Sequence, residues 1–344
     1  MSARGRHADA LRRILVVAVV ALAIAGCGDG SGHKGNGGRR VGVVIKGLDN
    51  PFFGAMRQGV LAAGHRLKAD VRLRAATGLG YQDTAGQAAK LEALIAQGLD
   101  CYLVNPIHQS NLAQALSHVP DGTPIVNIDS PVGADEARAL GIDISTYIGT
   151  DNRAAGKLAA DTMGTLVRRG ARVGVIGGIS GDATSAARID GFRTGAQGHF
   201  EPLQHVSADW DERKAMLAAA ELLRDEPGID GFFAANDQMA LGIARAVKDA
   251  GRQGQVAVVG VDGIEQALKA IQRGAMSATV SQYPYTIGSL GVEACLAAAS
   301  GKSLPAQVDA PIQVVTRRNV ARAEAKFPRP VEPFKSPFAA LLRG

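Results

Sequence analysis

The stretch that decides the fold is Val41-Gly42-Val43-Val44-Ile45-Lys46-Gly47-Leu48-Asp49-Asn50-Pro51-Phe52-Phe53. Its first five residues are rich in β-branched side chains and predict a buried strand. From Phe53 onward, Met56 and Val60 fall on the same face of a helix. Asn followed by Pro is typical of a helix start, because the Asn side chain accepts from free N–H groups and Pro presets φ. The stretch therefore predicts a strand, a turn and a helix.

The same alternation continues along the chain. Further strands are predicted at 71–75, 101–104 and 125–128, and a second series runs from 173 to 315 with helices between the strands. This β-α-β order implies parallel sheets with helices on both faces. About ten strands fit two doubly wound α/β units better than one very wide sheet. After Arg318, four prolines interrupt the helical period, so we expect residues 321–344 to be a Pro-containing, partly disordered tail.

The first residues indicate export. Four arginines, the last of them Arg13, precede an apolar run at 14–25. As a helix, the twelve residues of this run would span about 18 Å, which is too short for a hydrocarbon core of about 30 Å. We therefore predict a signal peptide at 1–26. The alternative is a short transmembrane anchor.

The end of the apolar run carries a more specific motif. Ile24-Ala25-Gly26-Cys27 resembles the lipobox of bacterial lipoproteins, which implies cleavage before Cys27 and acylation of its thiol. The alternative is ordinary signal cleavage near the same position. Residues 27–40 are rich in glycine and predict a flexible tether. We expect a protein anchored by lipid in the periplasm or on the outer face of the cell membrane.

Charge and cysteine content exclude several classes of function. Removing residues 1–26 takes away four Arg and one Asp, so the net charge falls from +6 to +3, too low to indicate nucleic-acid binding. There is no His/Cys cluster at metal-ligand spacing, and we expect no cofactor. Cys101 lies in a predicted strand and Cys295 in a predicted helix. We predict two buried thiols, while export leaves a disulfide open.

Polar side chains gather at the carboxyl ends of the predicted strands, where open α/β sheets bind ligands. They are Lys46, Asn105, Asp129, Asn236, Asp262 and Gln282. Their donors and acceptors suit neighbouring hydroxyl groups, and the rings of Phe52 and Phe53 suit the C–H face of a sugar. The alternative is that residues such as Asn50 and Asp262 only cap helices.

Seven motifs in order carry a resemblance over residues 41–320. They are Lys46-Gly47-Leu48-Asp49-Asn50-Pro51-Phe52-Phe53, Asn127-Ile128-Asp129, Thr150-Asp151-Asn152, Ser185-Ala186-Ala187-Arg188, Ala208-Asp209-Trp210-Asp211, Ala235-Asn236-Asp237-Gln238-Met239-Ala240 and Val259-Gly260-Val261-Asp262-Gly263. With this order and spacing, the chain resembles the ribose-type periplasmic sugar-binding proteins, particularly the allose-binding kind.

The resemblance implies a type I periplasmic-binding-protein fold, in which two doubly wound parallel-sheet lobes are joined by a three-strand hinge. The N-terminal lobe would comprise 41–150 and 283–311, and the C-terminal lobe 151–282 and 312–320. One monosaccharide, an allose-like or ribose-like pentose or hexose, would lie between the lobes. The implied partner is the membrane permease of an ABC importer, and we expect a monomer.

The resemblance also implies a set of sugar contacts. The first lobe would supply Lys46, Asn50, Phe53 and Asp129, and the second lobe with the hinge would supply Arg188, Trp210, Asn236, Asp262 and Gln282. Further contacts would be Phe52, Asn105 and Thr150. Lys46 matches the allose-type pattern, whereas Phe53 stands where the allose type has Trp.

The expected mechanism is hinge closure around the sugar, without chemistry on the ligand. An enzyme is disfavoured because no nucleophile–base pattern or metal motif is present. A sensor that presents the sugar to a chemoreceptor or kinase stays an alternative, as does another small polyol such as inositol. The effector domain of a transcription regulator is disfavoured by the signal peptide and by the lack of a helix-turn-helix before Val41.

Overall fold

The computed structural model describes residues 38–77 and 81–343. The predicted signal peptide, lipidation of Cys27 and most of the tether lie outside the described residues. The strands are β1 (Arg40–Ile45), β2 (Asp70–Ala75), β3 (Cys101–Val104), β4 (Ile125–Ile128), β5 (Thr146–Gly149), β6 (Arg172–Gly177), β7 (Glu201–Pro202), β8 (Val206–Ser207), β9 (Ile229–Ala234), β10 (Ala257–Asp262), β11 (Ala278–Ser281), β12 (Gln307–Asp309) and β13 (Gln313–Thr316). The helices are α1 (Pro51–Leu67), α2 (Thr84–Ile95), α3 (Ala113–Leu116), α4 (Ala134–Ala139), α5 (Asn152–Gly164), α6 (Ala183–Ala196), α7 (Glu212–Asp225), α8 (Asp237–Asp249), α9 (Glu265–Gln272), α10 (Pro284–Ala299) and α11 (Val320–Lys326).

The strands form two separate sheets, one in each lobe. The first sheet has the order β12-β5-β4-β3-β1-β2, and all of its pairs are parallel. The second has the order β13-β11-β10-β9-β6-β7, with β8 also paired to β6. One edge pair, β11 with β13, is antiparallel. The predicted class of two parallel-sheet α/β lobes is confirmed, with this antiparallel edge strand as the one departure from parallel pairing within the described residues.

The chain passes between the two sheets at three places in its described part. These are the connections from β5 to α5, from β11 to α10 and from β12 to β13. Since α10 packs on α1 and on β3, β4 and β5, the segment after the second crossing belongs with the first sheet. The residue bounds of the two lobes stay a prediction.

A disulfide joins Cys101 to Cys295, with their Cα atoms 5.6 Å apart. The prediction of two free buried thiols is therefore wrong. Helix α10 crosses the face of β3, and this packing brings together two residues that are 194 positions apart in sequence. Both cysteines are fully buried. Each cysteine is buried, as expected, but its sulfur is bonded to the other cysteine.

The C-terminal segment also differs from its expected partial disorder. Helix α11 packs on α9, and the chain then returns to α10, where Ser336 donates to the Glu293 carboxylate and Arg329 lies 5.1 Å from the centre of the Tyr285 ring. Phe338 is completely buried. Val331, between two prolines, and Phe338, directly after the last proline, thus give the tail a hydrophobic anchor. Its described part, to residue 343, is ordered against both lobes.

We expect Phe338→Ala to lower the free energy of unfolding by about 3 kcal/mol, because a fully buried ring is removed and a cavity is left. Urea unfolding followed by circular dichroism measures the change. The matched control is Lys335→Ala, at an exposed position of the same C-terminal segment, for which a change below about 0.5 kcal/mol is expected. An effect of Phe338→Ala as small as that expected for Lys335→Ala would show that burial of this ring does not stabilise the protein.

Candidate functional site

A cavity lies between the carboxyl ends of the strands of the two sheets. Both lobes contribute to its wall. The residues that line it are Lys46, Asn50, Phe52, Phe53, Tyr81, Asp129, Ser130, Asp182, Thr184, Arg188, Trp210, Asn236 and Asp262.

Two asparagines in the wall both cap a helix and face the cavity. Asn50 Oδ1 accepts from the N–H of Phe52 at 2.9 Å at the start of α1, and Asn236 Oδ1 accepts from the N–H of Met239 at 2.9 Å at the start of α8. Each cap uses the amide oxygen, so the amide –NH₂ is directed away from the helix. Capping and ligand binding are therefore compatible at these positions, because they use different atoms of one side chain.

On the first lobe, Lys46 and Asp129 form a buried charged pair. Lys46 Nζ donates to Ser130 Oγ at 2.6 Å and lies 3.9 Å from Asp129 Oδ2. Burial lowers the pKa of Lys46, and burial raises the pKa of Asp129, in each case against the pull of the partner's opposite charge. The ends of two strands, β1 and β4, thus supply one donor group and one acceptor group to the cavity.

On the second lobe, Arg188 is held by three acceptors. Nε donates to Asn152 Oδ1 at 2.8 Å, and Nη1 donates to the Ala235 carbonyl at 2.7 Å and to Asp262 Oδ1 at 3.4 Å. Nη2 makes no hydrogen bond to the described residues, although the side chain is only 5% exposed. The planar guanidinium is therefore fixed through Nε and Nη1, and the N–H groups of Nη2 are available to a ligand in the cavity.

Close packing of α5 on α6 places Arg188 at the cleft. A Cβ atom at Gly156 would lie 2.0 Å from the Arg188 carbonyl oxygen, so only glycine permits this approach of the two helices. The same approach lets Asn152, the first residue of α5, reach the guanidinium. The close packing of α5 on α6 in the second lobe thus helps to position the residues of the site.

Asp262 is positioned by the turn that follows β10. Asp237, which is fully buried, accepts from the N–H groups of Gly263 at 2.7 Å and Ile264 at 3.0 Å and so fixes this turn. Asp262 Oδ1 accepts from Gln282 Nε2 at 2.8 Å. Burial raises the pKa of Asp262, and the nearby Arg188 opposes that rise. Helix α9 is capped by Ile264 without a side-chain bond, so the interpretation of Asp262 as a helix cap is wrong.

Backbone strain is concentrated in the cavity wall. Among the described residues, five non-glycine positions have positive φ, and Asp129 (62°), Trp210 (62°) and Asp262 (135°) are three of them. A positive φ at a large ring or an acidic residue costs about 1–3 kcal/mol unless its surroundings enforce it. Such strained positions are common at functional sites, and here three of them line one cavity.

Aromatic rings form the remaining wall. Tyr81 is stacked on Trp210 across the cleft, with ring centres 6.2 Å apart and an angle of 27° between the ring planes. The edge of Phe53 meets Tyr81, also at 6.2 Å between centres. Gly178 packs directly on the indole, since a Cβ there would lie 2.2 Å from Trp210 Cε2. The aromatic side of the pocket is therefore closely packed.

The structure brings together most of the residues that the sequence suggested. Of the nine predicted contacts, all except Gln282 line the cavity, as does Phe52. Gln282 supports Asp262 from outside the lining, and both Asn105 and Thr150 are buried with a side-chain oxygen that has no partner among the described residues. Sequence reasoning missed Tyr81, Ser130, Asp182 and Thr184. Ser130 and Asp182 carried a usable signal, since one follows a strand end and the other caps α6.

Residues 41–303 match the family described as "periplasmic binding protein domain". The chain belongs to the periplasmic binding protein family. Two curated relatives are the D-allose-binding periplasmic protein of Escherichia coli and the ribose import binding protein of Bacillus subtilis. The first is 34% identical over 76% of this chain and 86% of the relative, and the second is 30% identical over 81% and 87%.

A solved structure supports the same assignment. The periplasmic solute-binding protein of an ABC transporter from Actinobacillus succinogenes, which has bound D-allose, superposes with a TM-score of 0.78. It is 26% identical, and the match covers 82% of this chain and 99% of that one. Membership of a family of periplasmic binding proteins confirms the prediction of a non-enzymatic binding protein that acts outside the cytoplasm. Within the described residues, no helix has both the length and the apolar character needed to cross a bilayer.

Proposed function

We propose that this chain is the solute-binding component of a bacterial ABC sugar importer and captures one allose-like or ribose-like monosaccharide between its lobes. The observation that carries the proposal is the convergence of half-used polar groups on one cavity that both lobes line. Arg188 Nη2 and the amide groups of Asn50 and Asn236 offer N–H donors, while Asp129 and Asp262 offer carboxylate oxygens. A closely spaced set of sugar hydroxyls can satisfy both kinds of group.

The balance of charge supports a neutral ligand. Lys46 is paired with Asp129, and Arg188 is paired with Asp262 at 3.4 Å. Each of these charges already has an opposite charge beside it, so the site does not require a charged ligand. A charged ligand buried there would meet no unpaired charge among these four residues. A polyol can bridge the pairs, because one hydroxyl both donates to a carboxylate and accepts from a cation. We assign Phe53 and Trp210, together with Tyr81, which packs on both, to the apolar C–H surface of the sugar ring.

Hinge closure provides the mechanism. Lys46, Asn50 and Asp129 belong to the lobe of the first sheet, while Arg188, Asn236 and Asp262 belong to the lobe of the second. A sugar that bonds to both sets binds the closed arrangement better than an open one, so it shifts the population toward closure. The importer would then recognise the closed protein by the surface that the two lobes form together.

The anchor and the compartment follow from the N-terminal segment. We propose that the chain is cleaved before Cys27, acylated there and held at the outer face of the membrane as a monomer on the glycine-rich tether. The Cys101–Cys295 disulfide supports the compartment, because structural disulfides persist where the environment is oxidising. Metabolic labelling with a radioactive fatty acid tests the anchor, and Cys27→Ala should abolish the label.

The function is tested with a panel of pentoses, hexoses and inositols on residues 38–344 after removal of carried-over ligand. Trp210 is the only tryptophan of the chain and lies in the cavity wall, so its fluorescence should change when the sugar binds. A sugar at 100 times its Kd should also raise the free energy of unfolding by about 2.7 kcal/mol.

The control pair for this experiment is Asp129→Asn and Asp135→Asn. The first alters a cavity carboxylate, and the second alters a carboxylate that is 93% exposed on α4. We expect loss of both responses in the first variant and retention in the second. If no sugar in the panel changes either signal in the unmodified protein, the assignment to sugar binding is wrong.

A further inference from the structure

The ring of Tyr81 separates the candidate sugar cavity from a second, wider cavity. Both Tyr81 and Trp210 line this outer cavity as well as the inner one. The two rings, one from each lobe, are stacked on each other. The partition between the cavities is therefore formed by one aromatic pair.

Tyr81 is held in place from four sides. Its hydroxyl oxygen accepts from Asn50 Nδ2 at 3.3 Å, and its ring packs on Trp210 and on the edge of Phe53. The ammonium group of Lys46 lies 5.5 Å from the centre of the ring, within the range of a cation–π contact. A ring with these contacts is a fixed wall, and its position is determined by residues of the sugar site itself.

The chemistry of the outer cavity would not reject a larger ligand. Its lining includes carboxylates, amides and an ammonium group, namely Asp209, Asp211, Gln82, Gln238 and Lys214. These groups could form hydrogen bonds with the hydroxyls of a second sugar ring as readily as the inner groups do with the first. Selection against such a ligand must therefore come from the partition and not from the outer cavity.

We propose that Tyr81 is the specificity-determining residue that restricts the ligand to a single, unsubstituted sugar ring. The inference rests on the proposed function, in which the inner cavity holds a monosaccharide. Rejection is steric, since a substituent that points toward Trp210 would have to displace a ring with four contacts. Removing the ring joins the two cavities and leaves the indole free to stack on the substituent.

The test compares wild-type protein, Tyr81→Ala and Tyr81→Phe by titration calorimetry. The probes are D-ribose, D-allose and any other monosaccharide that binds in the panel, each with its α- and β-phenyl glycosides. The wild-type protein should bind the free sugar at least about 100-fold more tightly than either glycoside. In Tyr81→Ala that ratio should fall to about tenfold or less for one anomer, because the phenyl group occupies the space of the lost ring.

Tyr81→Phe is the matched control, since it keeps the ring and loses the hydroxyl. It should reject the glycosides as the wild-type protein does. A thermal melt of each variant confirms that it is folded, and Tyr81→Leu replaces Tyr81→Ala if the latter is not.

The outcomes separate this proposal from the proposed function. If the wild-type protein binds no monosaccharide, the proposed function fails, and this inference fails with it. If the wild-type protein binds one and Tyr81→Ala still rejects both glycosides, only the role of Tyr81 is overturned. Tighter binding of the free sugar by Tyr81→Ala would also overturn it, because Tyr81 would then be a plug that the ligand displaces.

Discussion

Reduction of the disulfide between Cys101 and Cys295 should lower the free energy of unfolding by about 5 kcal/mol. The bond spans 194 residues, and in the chain-entropy account a loop of this length restricts the unfolded state by about that amount. Both cysteines are fully buried, so a reductant should reach the bond only after local or global unfolding. Guanidinium unfolding curves with and without dithiothreitol, after prolonged equilibration, measure the difference.

The matched control is the double variant Cys101→Ala with Cys295→Ala. Its unfolding curve should not respond to dithiothreitol and should lie close to the curve of the reduced wild-type protein. An unchanged wild-type curve after complete reduction, verified by thiol titration, would contradict the predicted stabilisation.

The outline of the fold was accessible from sequence because it depends on local patterns. A β-branched run such as 41–45 predicts a strand wherever it occurs, and regular alternation with helices leaves parallel sheets as the simple solution. The structure confirms the two-lobe class on this basis. The antiparallel strand β13 was not predictable in the same way, since its direction depends on how the chain re-enters the second sheet after the third crossing.

Long-range partners account for what the sequence did not predict. Burial of Cys101 and Cys295 could be read from their apolar neighbours, whereas their pairing depends on where α10 crosses the first sheet. Phe338 is a similar case, because its anchoring site is a surface created by the folded body. Composition alone suggested a disordered tail, but burial of a few apolar residues among the prolines was sufficient to order it.

Within the candidate site, the residues that the sequence predicted and those that it did not predict differ in their position relative to the strands. Lys46, Asp129 and Asp262 stand at strand ends, where the rule for open sheets applies directly. Tyr81 lies six positions beyond the end of β2, and no pattern around it distinguishes it from a surface tyrosine. Its place in the wall follows from the opposite lobe, since Trp210 is the ring on which it stacks.

The second large effect is expected for Arg188→Ala, which should weaken sugar binding by about 2–5 kcal/mol, or about 30-fold to several thousandfold in Kd. The substitution removes the N–H groups available to the ligand and leaves the Asp262 carboxyl without its cation at 3.4 Å. Arg188→Lys should recover only part of the loss, because an ammonium group cannot bond Asn152, the Ala235 carbonyl and a ligand in the fixed geometry of a guanidinium. Titration calorimetry with the sugar identified in the panel measures each Kd, at a temperature where the melt shows the variant to be folded.

Arg153→Ala is the matched control for this loss. Arg153 lies on the neighbouring helix α5 and pairs with Asp190 at 3.2 Å, but its side chain is 62% exposed, so sugar affinity should be unchanged. Equal affinities for Arg188→Ala and Arg153→Ala would mean that the guanidinium serves only the packing of the second lobe. A loss confined to Arg188 would support its role in ligand binding, in which Nη2 is the nitrogen of this buried cation that makes no hydrogen bond to the described residues.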